Sequence, residues 1–239
     1  MTDARVLERE EVLTKARAAK KVAPVLATLA TPDKDAVLHA AADALVARTE
    51  EILAANSKDI EDGKANGLSE SLIDRLALDA ARIKGIAGGL RQVASLQDPV
   101  GEVLRGGLMP NGIQMKQVRV PLGVMGMVYE ARPNVTVDAF GLAIKSGNVA
   151  LLRGSKSAKH SNAALVEILQ DVADKHGLPR EIVQLLPCET HDSVQDLITA
   201  RGLVDVVIPR GSARLIDAVV TGATAVSYTH LTLPTNREV

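Results

Sequence analysis

The second half of the chain alternates short runs of aliphatic and β-branched residues with stretches of helical periodicity. This alternation predicts strands at 123–129, 149–153, 182–186, 203–208 and 223–226. Helices are predicted between them at 136–145, 160–175, 192–200 and 212–220. Strands and helices that alternate at this spacing form βαβ units. The pattern therefore predicts an α/β fold with a parallel sheet that is covered by helices on both faces.

The first 98 residues carry helical signals. Thr31-Pro32-Asp33 offers an N-cap, a proline suited to the first turn and an acid at the positive end of the helix dipole. Apolar residues then recur about every four positions, which predicts one helix from Thr31 to about Asn56. Shorter helices are predicted at Ser69–Ala77 and Ala80–Leu96.

A hairpin arm is predicted at about 102–120, between the helices and the βαβ core at 121–226. Asn111-Gly112 separates two runs with strand propensity, Glu102–Leu108 and Ile113–Val120. This dipeptide is favoured in two-residue hairpin turns.

The charge balance excludes several classes of partner. The 239 residues include 28 basic and 29 acidic side chains, so no positive field attracts nucleic acid. The three aromatic residues are too few to stack single-stranded bases. Because the N-terminus lacks an apolar leader and no apolar run is long enough to span a bilayer, we expect a cytoplasmic protein without a membrane partner.

Ligands of parallel sheets bind beyond the carboxyl ends of the strands, so the loops there are the candidate sites. In Glu130-Ala131-Arg132-Pro133-Asn134, the Asn134 side chain either caps the next helix or donates a hydrogen bond to a developing oxyanion. Arg153, Ser155 and Lys156 follow the strand 149–153 and form either an anion site for a phosphate monoester or a solvated loop.

Pro209-Arg210-Gly211-Ser212 follows the next candidate strand. Gly211 permits close approach of a ligand, and Ser212 opens a helix whose free N–H groups attract phosphate, although a simple serine cap is the commoner use of such a turn. The sequence has no G-x-G element and no Walker A loop, so a dinucleotide would bind by another loop geometry.

Cys188 is the single cysteine, and it is interpreted as a small buried residue more readily than as a nucleophile. The five histidines lack the spacing of metal ligands, so no metal site is expected.

Two long segments carry a resemblance to a known family. They are VPLGVMGMVYEARPNVTVDAFGLAIKSGNVALLRGSKSAKHSN and DVVIPRGSARLI. Together they resemble the γ-glutamyl phosphate reductases (glutamate-5-semialdehyde dehydrogenases), a branch of the aldehyde dehydrogenase superfamily, and the resemblance covers about residues 5–226. It implies a Rossmann-like NADP-binding domain at 1–226. The implied activity is the NADPH-dependent reduction of γ-glutamyl phosphate to glutamate 5-semialdehyde and phosphate, the second step of proline biosynthesis.

The resemblance also assigns roles to single residues. It implies that the Asn134 amide stabilises the oxyanion and that Arg153 lies at the cofactor ribose. Ser155 and Lys156 stand where NAD-preferring relatives carry an acid, which favours the 2′-phosphate of NADP(H). Gly211 and Ser212 match the turn that faces the pyrophosphate.

The chain departs from the family pattern at its end. Residues 227–239, SYTHLTLPTNREV, replace the segment that leads to the family's nucleophilic cysteine, and Cys188 does not align with that cysteine. We therefore expect a foreign tail, an absent catalytic domain and an inactive chain. The alternatives are a non-catalytic dinucleotide-binding module and another acyl-substrate aldehyde dehydrogenase. The resemblance further implies a homo-oligomeric parent protein that acts with a glutamate 5-kinase.

Overall fold

The N-terminal region is helical, as predicted. The structure is a computed structural model that describes the backbone of residues 2–227 and the side chains of residues 5–225. Five helices come first: α1 (Thr2–Ala27), α2 (Thr31–Ala47), α3 (Thr49–Ala65), α4 (Glu70–Leu76) and α5 (Ala80–Ser95). Apolar residues at Val12, Ala16, Ala19, Ala23 and Leu26 form the buried stripe of α1.

The single helix predicted from Thr31 to about Asn56 is wrong, because the chain breaks at Arg48. There φ is −103° and ψ is 26°, and α3 starts at the next residue. The break lets α2 pack on α5 while α3 packs on α7 (Lys159–Lys175). Thr31 is also not the N-cap of α2, which is Ala30, because the Thr31 hydroxyl donates to Asp98 Oδ2 at 2.8 Å.

The hairpin arm consists of β1 (Val103–Leu108) and β2 (Gln114–Val118), and every residue in both strands is exposed. The predicted two-residue turn is wrong. Met109 N–H donates to the Ile113 carbonyl, and Gly112 N–H donates to the Met109 carbonyl, so the loop has three residues, Pro110–Gly112. Proline suits the first turn position, and Gly112 takes the left-handed conformation that closes such a loop, with φ of 85°.

The core sheet is parallel and five-stranded. Its strands are β3 (Val124–Tyr129), β4 (Val149–Arg153), β5 (Val183–Leu185), β6 (Val206–Arg210) and β7 (Val226–Ser227). Their spatial order is β5-β4-β3-β6-β7, with Gly126 of β3 opposite Leu151 of β4 and Val207 of β6. The strand order reverses at β3. From β3 the chain adds β4 and β5 on one side, and then returns to add β6 and β7 on the other side.

Helices cover both faces of this sheet. The remaining helices are α6 (Asn134–Lys145), α8 (Asp192–Ile198) and α9 (Ala213–Gly222), and short 3-10 turns lie at Lys156–Ala158 and Arg180–Ile182. Helices α1 and α8 contact one face, whereas α6 and α7 contact the other. Strands β3 and β4 are buried at every residue, as expected for a sheet covered on both sides. The predicted fold class is confirmed.

Two predicted strands are displaced by local hydrogen bonds. Strand β6 begins three residues late because Leu203 and Val204 N–H groups both donate to the Ala200 carbonyl in a turn. Strand β7 begins three residues late because Thr224 and Ala225 N–H groups donate to the Ile198 carbonyl. Ser227, the first residue of the predicted foreign tail, belongs to β7, and the rest of that tail lies outside the described residues.

Candidate functional site

A cleft of about 730 Å³ opens at the carboxyl ends of β3, β4 and β5. Its walls come from the loops after those strands and from helices α8 and α9. In open parallel sheets, ligands usually bind in the crevice beside the strand at which the strand order reverses, which is β3 here. The cleft, named the cofactor cleft hereafter because the sequence predicts cofactor binding at these loops, is lined by four of the predicted residues, Arg153, Ser155, Lys156 and Ser212.

Arg153, the last residue of β4, is buried, and its side chain makes hydrogen bonds with other residues of the chain. Its guanidinium donates to Ser193 Oγ at 3.1 Å, to the Thr190 carbonyl at 2.6 Å and to the Gly154 carbonyl at 3.2 Å. Burial lowers the pKa of this side chain from its usual value. These bonds tie the loops after β4 and β5 together, so Arg153 shapes the cleft wall and presents positive charge to the cleft.

Lys156 is exposed and already has an acidic partner in the cleft. Its Nζ lies 2.8 Å from Glu189 Oε2, and Lys159 Nζ donates to the other oxygen of Glu189 at 3.0 Å. The hydrogen bonds from Lys156 and then Lys159 lower the pKa of Glu189 to about 2. Ser155 lies beside them, where its hydroxyl accepts the Ser157 N–H at 3.3 Å. The lysine charges at the predicted anion site are thus paired with the carboxylate of Glu189.

Ser212 opens α9 as predicted, but its side chain does not cap that helix. The Ser212 N–H donates to Glu130 Oε1 at 2.8 Å. Gly211 packs against the same side chain, since a Cβ there would lie 2.7 Å from Glu130 Cδ. Bonds from the Ser212 backbone and then its hydroxyl lower the pKa of Glu130, aided by the charges of Arg75 and Arg132.

Asn134 does not line the cofactor cleft, and the predicted capping role is wrong. Pro133 is the N-cap of α6, and Asn134 is the first helical residue. Its side-chain amide donates to Asp138 Oδ2 at 3.3 Å, because residues four apart share one face of a helix. Asn134 lines a separate cavity of about 490 Å³, together with Arg75, Arg132 and Asp138.

Cys188 lies in the loop after β5 and lines the cofactor cleft. Burial raises the pKa of its thiol, so the reactive thiolate is disfavoured. The thiol and the Asn134 amide line different cavities, so the structure does not bring them together as a nucleophile and an oxyanion donor.

A buried polar network supports the floor of the cleft. The Tyr129 hydroxyl lies 2.7 Å from Thr136 Oγ1, which donates to Asn162 Oδ1 at 2.9 Å. Gly154 packs on this network, because a Cβ there would overlap the Asn162 amide and lie 3.1 Å from the Tyr129 hydroxyl. Only glycine allows the strand end to approach so closely.

The main residues that sequence reasoning missed are Glu130, Glu189, Arg75 and Arg132. Glu130 and Arg132 stand in the loop that precedes Asn134, so their position after a strand was the available signal. Glu189 follows Cys188 in another such loop. Arg75 belongs to α4, and no sequence pattern connects that helix with the strand ends.

Across the described residues, no group of three or more His, Cys, Asp or Glu side chains is arranged to hold a metal ion. No helix within 2–227 combines the length and the apolar character that crossing a membrane requires.

Known proteins match the chain over almost its whole length. The aldehyde dehydrogenase family profile matches residues 1–236. A γ-glutamyl phosphate reductase from Thermotoga maritima is 38% identical, with a TM-score of 0.88 over 91% of this chain and 52% of its own. The Saccharomyces cerevisiae γ-glutamyl phosphate reductase is 31% identical, with a TM-score of 0.82 over 91% of this chain and 55% of its own.

A more distant structure shares the fold. It is a glyceraldehyde-3-phosphate dehydrogenase from Methanocaldococcus jannaschii, complexed with NADP, at 19% identity and a TM-score of 0.71 over 92% of this chain and 45% of its own. The chain thus spans about half the length of the proteins it matches. The resemblance stated from the sequence is confirmed, and the chain belongs to the aldehyde dehydrogenase family.

Proposed function

We propose that this chain is the NADP(H)-binding part of an enzyme that reduces γ-glutamyl phosphate to glutamate 5-semialdehyde. The likeness to two γ-glutamyl phosphate reductases over 91% of the chain supports the substrate. The observation that carries the proposal is that Arg153, Lys156 and Ser212 line one cleft where the sheet order reverses. A dinucleotide fits such a crevice, and when bound it supplies the hydride.

Lys156 and Lys159 are proposed to bind the 2′-phosphate of the cofactor. Both ammonium groups already hold a carboxylate, that of Glu189, at 2.8 and 3.0 Å. The two side chains and their partner are about half exposed, so water weakens the pairs and a phosphate can take the place of Glu189. A dianion gains more from two lysines than a single carboxylate does.

The Asn134 amide is proposed to donate a hydrogen bond to the carbonyl oxygen of the substrate as negative charge develops there. Its bond to Asp138 orients the amide, and its position on the first turn of α6 adds the positive end of a helix dipole. The same cavity contains Arg75 and Arg132, which suits an acidic substrate.

Cys188 is proposed to be a wall residue of the cofactor cleft rather than the nucleophile. Its thiol has a raised pKa, and it lies in a different cavity from Asn134. The chain has no other cysteine. We therefore expect the chain to bind NADPH without reducing γ-glutamyl phosphate.

Titration of NADPH and NADH into the chain, followed by cofactor fluorescence, tests the cofactor assignment. Lys156→Glu should weaken NADPH binding by about tenfold or more, since it replaces an attraction for phosphate by a repulsion, and should change NADH binding less than about twofold. Lys84→Glu makes the same charge change on α5, outside the residues that line the cofactor cleft, and should alter neither affinity. Equal losses for both cofactors would contradict the 2′-phosphate assignment.

A turnover assay tests the role of Cys188. NADPH oxidation with γ-glutamyl phosphate, or the reverse oxidation of the semialdehyde with phosphate, should be absent from the purified chain. Activity that Cys188→Ala abolishes would make this thiol the nucleophile. NADPH binding without turnover is also the result expected of a non-catalytic dinucleotide-binding module, so binding of γ-glutamyl phosphate is the observation that would favour part of an enzyme over such a module.

A further inference from the structure

Three arginines line a cavity that borders the cofactor cleft. This cavity, of about 380 Å³ and hereafter the arginine cavity, is lined by Arg75 from α4, Arg132 from the loop after β3 and Arg210 from the end of β6. Its remaining walls are formed by Tyr129, Glu130, Val135, Gly211 and Ser212. Chain segments far apart in sequence therefore deliver three positive charges to one small space.

The positive charges in the arginine cavity have little internal compensation. Among the residues that the structure describes, Arg75 and Arg132 make no ion pair within 4 Å. Arg210 Nη1 lies 3.8 Å from Asp138 Oδ2, a distance too long for a hydrogen bond. By contrast, Arg82 of the neighbouring helix is 2.9 Å from its carboxylate partner.

Glu130 is the single acidic residue in the lining, and it is engaged by the Ser212 N–H. The lining therefore carries an excess of two positive charges, which matches a phosphoryl dianion. The planar, forked guanidinium is suited to bidentate bonds with phosphate oxygens. A lone carboxylate would be satisfied by one such group, so three arginines favour the tetrahedral dianion.

The arginine cavity lies between the two parts of the proposed active site. Glu130 and Ser212 line both this cavity and the cofactor cleft. Arg75 and Arg132 line both this cavity and the cavity that contains Asn134. A phosphoryl group held here would therefore be flanked by the cofactor on one side and by the proposed oxyanion donor on the other.

We propose that Arg75, Arg132 and Arg210 form the binding site for the phosphoryl group of the acyl-phosphate substrate and for the phosphate released from it. This inference rests on the proposed function, because that function supplies the acyl phosphate. It adds a substrate contact from the N-terminal helices, where no site was expected.

Binding of inorganic phosphate to the chain, measured by calorimetry at low ionic strength, tests the site. Arg75→Gln and Arg132→Gln should each weaken phosphate binding by about tenfold, since each removes one charged hydrogen-bond donor. Arg91→Gln removes the same charge from α5, where Arg91 pairs with Asp43 outside the lining, and should leave the affinity within about twofold. Circular dichroism of each variant verifies that it is folded.

Two competition arms identify the ligand. Phosphate should still bind when the cofactor cleft is saturated with NADPH, and L-glutamate should compete with phosphate only weakly. Loss of phosphate binding in the presence of NADPH, with no effect of Arg75→Gln or Arg132→Gln, would assign the ion to the cofactor cleft and overturn the inference. Strong binding of glutamate in place of phosphate would make it a carboxylate site and also overturn it.

The outcomes separate this inference from the proposed function. If NADPH binds with the expected dependence on Lys156 while both arginine variants bind phosphate normally, the cofactor assignment stands and the arginine site does not. If NADPH fails to bind although the arginine variants lose phosphate, the cavity is an anion site and the proposed function fails.

Discussion

Helices α7 and α9 both begin at a carboxylate from elsewhere in the chain, but the two arrangements differ in burial. Asp59 of α3 is 2% exposed and accepts the N–H groups of His160 and Ser161 at 3.0 and 2.7 Å, and the Ser161 hydroxyl at 2.6 Å. Glu130 is exposed and accepts one N–H, from Ser212. The first carboxylate is enclosed and fully bonded, whereas the second faces a cleft.

Because of this difference in burial, the contact of Asp59 is a fixed part of the fold, whereas the contact of Glu130 can be exchanged for water or a ligand. The N–H groups that Asp59 satisfies are shielded from water, so nothing can replace it without leaving buried donors unpaired. The N–H group that Glu130 satisfies can bond to water or to a ligand anion instead. The same chemistry therefore stabilises the fold at α7 and prepares a binding position at α9.

The largest expected effect is on stability at α7. Asp59→Ala should lower the free energy of unfolding by about 3 kcal/mol, because it strands buried donors at the start of α7. Glu130→Ala, the matched change at α9, should cost less than about 1 kcal/mol because water replaces the carboxylate. Urea unfolding followed by circular dichroism measures both, and equal losses would erase the distinction between the two helix starts.

Two glycines test the same difference in burial through the stability cost of an added methyl group. Gly154→Ala should cost about 2 kcal/mol, because the new methyl group meets the buried Tyr129 and Asn162 side chains. The nearest neighbour of the methyl group in Gly211→Ala is the exposed Glu130 side chain, which can move, so this change should cost about 0.5 kcal/mol or less. Thermal unfolding of the two variants gives this ranking, and the reverse order would show that Glu130 is held rigidly.

Removal of the charge at Glu130 should strengthen anion binding. Glu130→Gln keeps the size of the side chain but relieves repulsion of phosphate, so the phosphate dissociation constant should fall by about threefold. Glu102→Gln makes the same change in the hairpin arm, where Glu102 pairs with Arg119, and should have no effect. Weaker phosphate binding by Glu130→Gln would mean that the carboxylate orders the site instead of competing for it.

The smallest effect concerns the titration of Glu189. Its lysine partners lower its pKa from 4.5 to about 2, so the pair is fully formed above pH 4.5 and is lost as the pH falls towards 2. Lys156→Met should move this pKa upwards, because the Lys156 hydrogen bond is the largest cause of the shift. Carbon-detected NMR of the Glu189 carboxyl follows this titration. An unchanged pKa would show that Lys156 does not hold Glu189 in solution.

The two central strands of the sheet were predicted well, whereas the starts of β6 and β7 and the break between α2 and α3 were not. Strands β3 and β4 match their predicted limits to within one residue, since both are continuous buried runs between clear loop signals. The break at Arg48 was not predictable, because residues on both sides of it continue the same apolar pattern. The tertiary contacts differ across the break, since α2 packs mainly on α5 and α3 packs mainly on α7.

The candidate site also contains residues that the sequence predicted and residues that it did not. Arg153, Ser155, Lys156 and Ser212 were found because they follow strands, and parallel strands bring their carboxyl ends together. The partners of these residues were not found. Glu189 meets Lys156, and Glu130 meets Ser212, through loops whose approach has no local signature.

Local sequence patterns predict the type of most elements and the edge of the sheet where the candidate site lies, because hydrophobic periodicity and turn residues act over a few neighbouring positions. Which charged side chains line the same cavity depends instead on how elements that are distant in sequence pack together. Arg75 lines the same cavity as Arg132 and Arg210 although they are far apart in sequence, and the Coulomb energy of such a group depends on distance in space and not on separation along the chain.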